Sequence, residues 1–290
     1  MGLGSAGISI AVGAVARAAP PEKRSLAMGL VTSVGSFGQF ALVPVAQIMM
    51  NEHGWQFAIV ILSAIVASIA AVTLGMRVPA GGARPLEGIT QSAGSALRQA
   101  TGSRDYILLT IGFFVCGLQL VFITTHLPTY LQDAGLSAEI ASWSLALIGL
   151  FNIIGAFLCG WLGGIVSKKK TLAIVYLLRG LIIASFISLP ASPAMALFFG
   201  AAMGLLWLGT IPLTSGLILA FFGPRHLSML YGLVFLSHQI GSFAGAWLGG
   251  IWYDVFGNYE AMWWLNAAAG FFAFAVNWAI REPKPAAVPA

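Results

Sequence analysis

The sequence predicts an all-α membrane protein, a bundle of about nine transmembrane helices. The first observation behind this prediction is composition: of 290 residues, 59% are hydrophobic and 8% are charged, and the mean hydropathy is +0.90. Soluble domains carry about 25% charged residues. A water-facing surface cannot be covered by so few charges, so the outside of this fold must face lipid.

The second observation is a series of long apolar runs separated by short polar breaks. Three runs precede the longest polar segment, and six follow it. The first three are residues 2–19, 25–49 and 55–76. The last six are residues 106–127, 138–166, 171–189, 193–222, 228–253 and 259–280. Each run can cross a hydrocarbon core of about 30 Å as a helix.

The third observation is that Lys and Arg fall on alternate connections, as the positive-inside rule requires. The basic residues at these positions are Arg17, Lys23, Arg24, Arg77, Arg84, Arg98, Arg104, Lys168, Lys169, Lys170, Arg225, Arg281 and Lys284. The opposite connections, residues 51–54, 132–137, 191–192 and 256–258, contain no Lys or Arg. This pattern predicts a multi-pass membrane protein with the basic side and the C-terminal tail in the cytoplasm. It also explains the formal charge of +5 without a nucleic-acid partner.

The polar segment 77–105 contains Pro79 and Pro85, several glycines and four arginines, which indicates a cytoplasmic linker. It divides the chain into residues 1–76, with three helices, and residues 106–281, with six. Residues 282–290 form a cytoplasmic tail. Cys116 and Cys159 lie within apolar runs and are expected to pack as small hydrophobes, so we predict no disulfide, metal site or cofactor.

This layout resembles the major facilitator superfamily, whose members have two six-helix halves joined by a long cytoplasmic loop. The first three spans match the fourth to sixth helices of that family, and the last six match its C-terminal half. The resemblance implies a chain that is truncated at its N-terminus, with three further spans upstream in the intact protein. It also implies a secondary transporter of a small solute that works by alternating access and is a monomer when intact. A proton or another ion is the candidate for coupling.

Local motifs of the family are met in part. Residues 160–169 (GWLGGIVSKK) match its basic loop motif, but Gly164 occupies the acidic position and Ile165 the first basic position. The gating ion pair of that motif is therefore not implied in this half. Gly35, Gly38 and Pro44 meet the antiporter motif poorly, so exchange is not favoured. Residues 125–130 (THLPTY) and 237–241 (SHQIG) resemble bacterial carriers grouped with monocarboxylate and oxalate carriers. This resemblance implies a small carboxylate as the solute and a bacterial cytoplasmic membrane as the location.

Polar groups deep in a span are the candidates for solute binding. His238 lies about 15 Å into its helix, where it could bind solute, carry the coupled proton or simply hydrogen-bond another helix. Arg179 lies about 13.5 Å deep. It could clamp a carboxylate, although contact with backbone carbonyls or snorkelling is the more favoured interpretation. Further binding candidates at similar depth are Gln119, Asn152, Trp207, Thr210 and Gln239.

Other residues are expected to be structural or to take part in gating. His126 and Asp254 lie near the outer interface, and Lys168 and Lys169 lie in the basic loop. A glycine series with small-xxx-small spacing in the eighth span predicts close helix approach within the fold, with a dimer interface as the minor alternative. The series is Gly241, Gly245 and Gly249.

The sequence lacks the motifs of several other function classes. The sequence has no HExxH motif, no Walker A loop and no paired intramembrane carboxylates, which argues against an enzyme or an ATP-driven pump. A channel is disfavoured because no filter-like repeat or ring-forming charge is present. Two alternatives stay open, a non-transporting fragment and an assembly partner, because the central cavity of the family needs both six-helix halves.

Overall fold

The computed structural model describes residues 23–75 and 92–283, together with the isolated positions 15, 19 and 20, and the side chains of residues 69–75 are excluded. The first predicted span, residues 2–19, therefore lies almost wholly outside the described residues. The described helices are α1 Arg24–His53, α2 Trp55–Gly75, α3 Ala93–Thr101, α4 Arg104–Asp133, α5 Ala138–Ile165, α6 Lys168–Ser188, α7 Pro193–Leu206, α8 Thr210–Phe222, α9 Leu227–Phe256 and α10 Glu260–Trp278.

Six segments of the described chain are long and apolar enough to cross a membrane: α1, α4, α5, α6, the α7–α8 pair and α9. The described part of α2 that meets the same apolar character, Trp55–Ser68, is shorter. Helix α10 has 19 residues and carries the buried amides of Asn266 and Asn277, which lower its hydropathy. The prediction of an all-α membrane protein is confirmed.

The helix starts follow from local sequence. Serine precedes several helices, and its side-chain oxygen accepts a hydrogen bond from the backbone N–H three residues later, which satisfies one of the free donors of the first turn. The capping serines are Ser92, Ser103, Ser137, Ser167 and Ser192. Helix α3 lies inside the segment predicted as a linker, and its strongly one-sided apolar pattern, with Ala96 and Ala100 buried, explains why it forms there.

Small residues allow pairs of helices to pack closely. Helix α9 packs against α4, α1 against α5, α6 against α10, and α5 against α7. A side chain at Gly117 of α4 would collide with the carbonyl of His238, and one at Gly241 of α9 would collide with the carbonyl of Phe114. Gly245 and Gly249 also face α4 closely. The predicted glycine series of α9 therefore lets two helices approach within this fold.

The two ends of the bundle differ in charge. At the end called here the basic end, Arg104 Nη1 donates to the carbonyl of Ala279 at 3.2 Å, and the Arg281 N–H donates to Asp105 Oδ1 at 2.9 Å. At the acidic end, the helices end in or are connected by residues 51–54, 133–139, 189–192 and 254–260. These connections carry carboxylates without Lys or Arg: Glu52, Asp133, Glu139, Asp254 and Glu260.

Candidate functional site: an interrupted helix and its buried polar cluster

The segment Pro193–Phe222 is one membrane crossing of 30 residues, but its helix is interrupted. Helix α7 ends at Leu206 and α8 begins at Thr210. The predicted span over residues 193–222 is therefore present with the same limits, but its helix is not continuous. Pro212 supplies the physical reason: it has no N–H, and its ring collides with the carbonyl four residues earlier, that of Leu208, in a continuous helix. The Leu208 carbonyl instead accepts from Ile211 N–H at 3.0 Å.

The interruption frees backbone groups that need new partners, because a buried unpaired carbonyl or N–H costs free energy. The carbonyls of Leu206 and Trp207 both accept from Arg179. The N–H of Trp207 donates to the carbonyl of Gly204 at 3.1 Å, as in a tightened last turn. The Leu208 N–H donates to Asn152 Oδ1 at 2.8 Å. Side chains from α5 and α6 therefore complete the interrupted helix.

Arg179 is fully buried. Its Nε and Nη2 donate to the carbonyl of Leu206 at 3.1 and 2.7 Å, Nη2 also donates to the Trp207 carbonyl, and Nη1 lies 3.5 Å from Cys116 Sγ. The guanidinium carbon lies 5.4 Å from the ring centroid of Tyr176. No carboxylate of the described residues forms an ion pair with Arg179. Carbonyl dipoles, a thiol and an aromatic ring therefore stabilise this buried cation.

Cys116 links Arg179 to two other predicted site residues. Its Sγ lies 3.4 Å from Thr210 Oγ1, at the first residue of α8. The His238 side chain lies beside the same thiol. Cys116 was expected only to pack as a small hydrophobe, and its apolar surroundings in the sequence offered no signal of this polar role. The structure thus brings Arg179, Thr210 and His238 together around Cys116, and Trp207 contacts Arg179 through its backbone carbonyl.

His238 is 8% exposed and lies between aromatic rings. Its ring centroid is 5.0 Å from that of Phe235 and 5.2 Å from that of Phe113. Its Nδ1 lies 3.2 Å from Gln239 Oε1 and 3.4 Å from Ser242 Oγ. His238 and Gln239 therefore form one polar unit, on the side of α9 that packs near α4.

Asn152 and Gln119 join helices at the edges of the cluster. Asn152 Nδ2 donates to Ser36 Oγ of α1 at 2.6 Å, so one amide connects α1, α5 and the interruption between α7 and α8. Gln119 Nε2 donates to the carbonyl of Asn266 on α10 at 2.9 Å. The Gln119 Oε1 atom is buried and has no hydrogen-bond partner among the described residues. Gln119 therefore lies toward α10, apart from the Arg179 contacts.

The residues expected to be structural or gating lie at the two ends. His126 Nε2 lies 2.9 Å from the carbonyl of Ala246, which requires a proton on Nε2, and Nδ1 therefore accepts from Tyr259 Oη at 3.2 Å. This histidine joins α4, α9 and α10. Asp254 is exposed at the acidic end of α9.

At the basic end, the chain after α10 returns to the start of α6. Glu282 accepts from Ser167 Oγ at 2.5 Å and from the backbone N–H groups of Lys168 and Lys169 at 3.1 and 3.3 Å. In return, Lys169 Nζ donates to the carbonyls of Trp278 and Ile280 at 3.1 and 2.6 Å. A carboxylate thus stabilises the α6 N-terminus and an ammonium the α10 C-terminus. Sequence reasoning missed Glu282, which lies more than a hundred positions from its partners.

Comparison with known proteins gives the family of this arrangement. The sequence profile described as "Major Facilitator Superfamily" matches residues 1–210 and 109–290. The chain is 27% identical over 243 residues to the uncharacterized MFS-type transporter YcxA of Bacillus subtilis, covering 81% of the chain and 59% of the relative. It is 28% identical over 263 residues to monocarboxylate transporter 13 of Rattus norvegicus, covering 88% of the chain and 58% of the relative. The chain therefore spans less than two thirds of these relatives.

Solved structures show the same fold. The fucose:proton symporter FucP of E. coli matches with a TM-score of 0.68 and 16% identity, over 95% of this chain and 73% of that chain. The proton:xylose symporter XylE matches with a TM-score of 0.64 and 16% identity, over 95% of this chain and 68% of that chain. The profile covers every residue, and the interrupted, glycine-packed bundle has the fold of these transporters. The protein belongs to the Major Facilitator Superfamily.

Proposed function

We propose that the intact protein is a secondary transporter that moves a small solute across the membrane by alternating access. The observation that carries this proposal is the interruption between α7 and α8 with its buried polar cluster. Irregular backbone at membrane depth is tolerated where protein groups satisfy it, and transporters use such discontinuous helices to build solute sites near the midplane. Arg179 and Asn152 supply those groups here. Thr210, the first residue of α8, adds a hydroxyl that contacts Cys116. The family is one of transporters, which are not enzymes.

The solute that this cluster suits best is a small carboxylate. Arg179 is a buried cation that has no carboxylate partner in the described part of the chain, and guanidinium N–H groups form strong, charge-assisted hydrogen bonds with carboxylates. Four of its five N–H groups are engaged by the contacts above, so a solute would approach Nη1 and the Cys116 and Thr210 side. Gln119, Asn152, Trp207 and Gln239 would complete or support the site. The relatives named monocarboxylate transporters support the same solute class.

His238 is the group proposed to carry a coupled proton. Imidazole titrates near neutral pH, and this ring lies in the polar cluster beside Cys116. The names of the FucP and XylE structures describe proton symporters, which supports coupling to a proton. By the positive-inside rule the basic end would face the cytoplasm of a bacterial cell, with the C-terminal tail on that side. The intact protein is proposed to act as a monomer.

The test is uptake of radiolabelled lactate into proteoliposomes that contain the protein expressed from its complete gene. We expect an inwardly directed proton gradient, with the more acidic side outside, to raise the initial rate of lactate uptake at least tenfold. The variant His238→Gln should lose this stimulation. The variant His53→Gln, at an exposed histidine at the acidic end of α1, should keep it. An uptake rate that changes neither when unlabelled carboxylates are added as competitors nor when the proton gradient is applied would contradict the proposal.

A further inference from the structure

A groove on the outer surface of the basic end lies between α3, α4 and α9, and it is called here the α3 groove. It has a volume of about 290 Å³. Four apolar side chains that line it are open to the surroundings: Leu97 is 38% exposed, Ile107 45%, Ile111 38% and Leu233 37%. The α3 groove therefore presents an accessible apolar surface built by three helices.

The level of the α3 groove matches the boundary between the hydrocarbon core of the membrane and the lipid headgroups. Helix α4 has 30 residues and is about 45 Å long, so it extends about 7 Å beyond a hydrocarbon core of about 30 Å at each end. The residues of α4 that line the groove lie among its first eight, from Arg104 to Ile111. An acyl chain can therefore lie against Ile107 and Ile111 while its headgroup reaches α3.

Helix α3 places an apolar and a cationic side chain on adjoining sides. Its buried alanines, Ala96 and Ala100, face the rest of the bundle. Successive residues of an α-helix are rotated by about 100°, so Thr101, which lines the groove, lies between Leu97 and Arg98 around the helix. Arg98 is exposed on the polar side of α3. An amphiphilic molecule can thus contact both sides of this helix at once.

The guanidinium of Arg98 is open to an anion. It forms no ion pair with a carboxylate of the described residues. The nearest described carboxylate along the sequence, that of Asp105, accepts from the Arg281 N–H at 2.9 Å and lies 4.0 Å from Arg104. Guanidinium N–H groups bind phosphate oxygens through charge-assisted hydrogen bonds. The charge beside the groove therefore favours a molecule that carries a phosphate.

We propose that the α3 groove binds an anionic phospholipid, with one acyl chain against its four exposed apolar side chains and the phosphate on Arg98. The membrane supplies such a molecule at this level, and basic groups beside a membrane span attract anionic headgroups. A zwitterionic lipid would bind more weakly, because its own cation would lie near the guanidinium. The site is separate from the Arg179 cluster and does not depend on the proposed transport of a carboxylate.

The test is native mass spectrometry of the protein expressed from its complete gene, purified in detergent and mixed with palmitoyl-oleoyl phosphatidylglycerol. We expect phosphatidylglycerol to be retained at least tenfold more than phosphatidylcholine with the same acyl chains at equal concentration. The headgroup analogue sn-glycerol 3-phosphate, which has no acyl chain, should not displace the lipid at a hundredfold excess. Equal retention of the two lipids would overturn the proposal. Displacement by the analogue would overturn it as well, because the site would then bind a soluble anion.

Variants separate the α3 groove from general attraction to the basic end. Arg98→Gln should lower the retention of phosphatidylglycerol at least tenfold, whereas Arg225→Gln, at an exposed arginine of the same end that does not line the groove, should change it less than twofold.

The apolar part of the α3 groove has its own matched pair of variants. Leu233→Trp fills the groove and should lower retention of phosphatidylglycerol at least fivefold. Leu236→Trp, at an exposed position of α9 outside the groove, should leave retention within twofold. If the two arginine variants had equal effects, the attraction would be a surface effect and the proposal would fail. Equal effects of the two tryptophan variants would likewise exclude the groove as the site of the acyl chain.

Discussion

Arg179 and Leu206 are joined by two hydrogen bonds, from Nε at 3.1 Å and Nη2 at 2.7 Å to a single carbonyl oxygen. This contact connects α6 to the end of α7, where the helix stops and its last carbonyls lose their usual partners. Arg179 thereby donates hydrogen bonds to carbonyls that the interruption near Pro212 leaves without helical partners. The dipoles of the same carbonyls stabilise the buried charge of Arg179. Each feature is tolerable in the membrane because the other is present.

Removing the guanidinium should destabilise the bundle. Arg179→Met keeps much of the side chain's volume but leaves the carbonyls of Leu206 and Trp207 buried and unpaired. We expect a loss of about 1–3 kcal/mol, since each unsatisfied buried group is costly and relief of the buried charge offsets part of it. The apparent melting temperature in detergent micelles measures this. Arg225→Met, at an exposed residue of the basic end, is the control and should change it little. An unchanged melting temperature for Arg179→Met would contradict the structural role.

The Asn152 amide should couple α1 to the interruption. Asn152→Ala loses both the bond to Leu208 N–H and the bond to Ser36 Oγ, and we expect it to cost about 1–3 kcal/mol. Ser36→Ala loses the second bond and also the bond that Ser36 Oγ donates to the Thr32 carbonyl within α1. A double-mutant cycle between the two positions should therefore give a coupling energy of about 1 kcal/mol. Strict additivity of the two changes in stability would show that the contact between Asn152 and Ser36 contributes nothing.

Replacing glycine by alanine should have different effects on stability at two positions of α9. Gly241→Ala places a methyl group against the carbonyl of Phe114, so α4 and α9 must separate, and we expect a loss of about 1–3 kcal/mol. Gly250→Ala meets no atom within 4 Å and should be neutral or stabilise the helix by up to about 1 kcal/mol. Thermal unfolding of the two variants in the same detergent compares them directly. Equal losses of stability in the two variants would contradict the role of close packing between α4 and α9 at Gly241.

The tail contact at the basic end should stabilise α6. Glu282→Ala removes the acceptor of Ser167 Oγ and of the Lys168 and Lys169 N–H groups, and we expect a loss of about 1 kcal/mol. Hydrogen exchange of the amides in the first turn of α6 should rise in this variant, while exchange in the first turn of α5, which Ser137 caps, should not. Unchanged protection of the Lys168 and Lys169 amides would contradict the contact.

The sequence by itself determined the membrane environment, the approximate helix limits and the charge difference between the two ends. These properties are encoded along the chain, because the length of an apolar run and the placement of Lys and Arg depend on one segment at a time. The glycine series of α9 could also be interpreted from its spacing alone. Even the candidate Arg179 was apparent, since a basic residue deep in a span must find a partner.

Tertiary structure decided which groups meet. That Cys116 would face Arg179 and that Glu282 would cap α6 both depend on the rotation and depth of helices far apart in sequence. Hydropathy carries no information on that rotation, because lipid-facing and protein-facing positions are both apolar in a membrane bundle. The partner of each buried polar group was therefore fixed by packing.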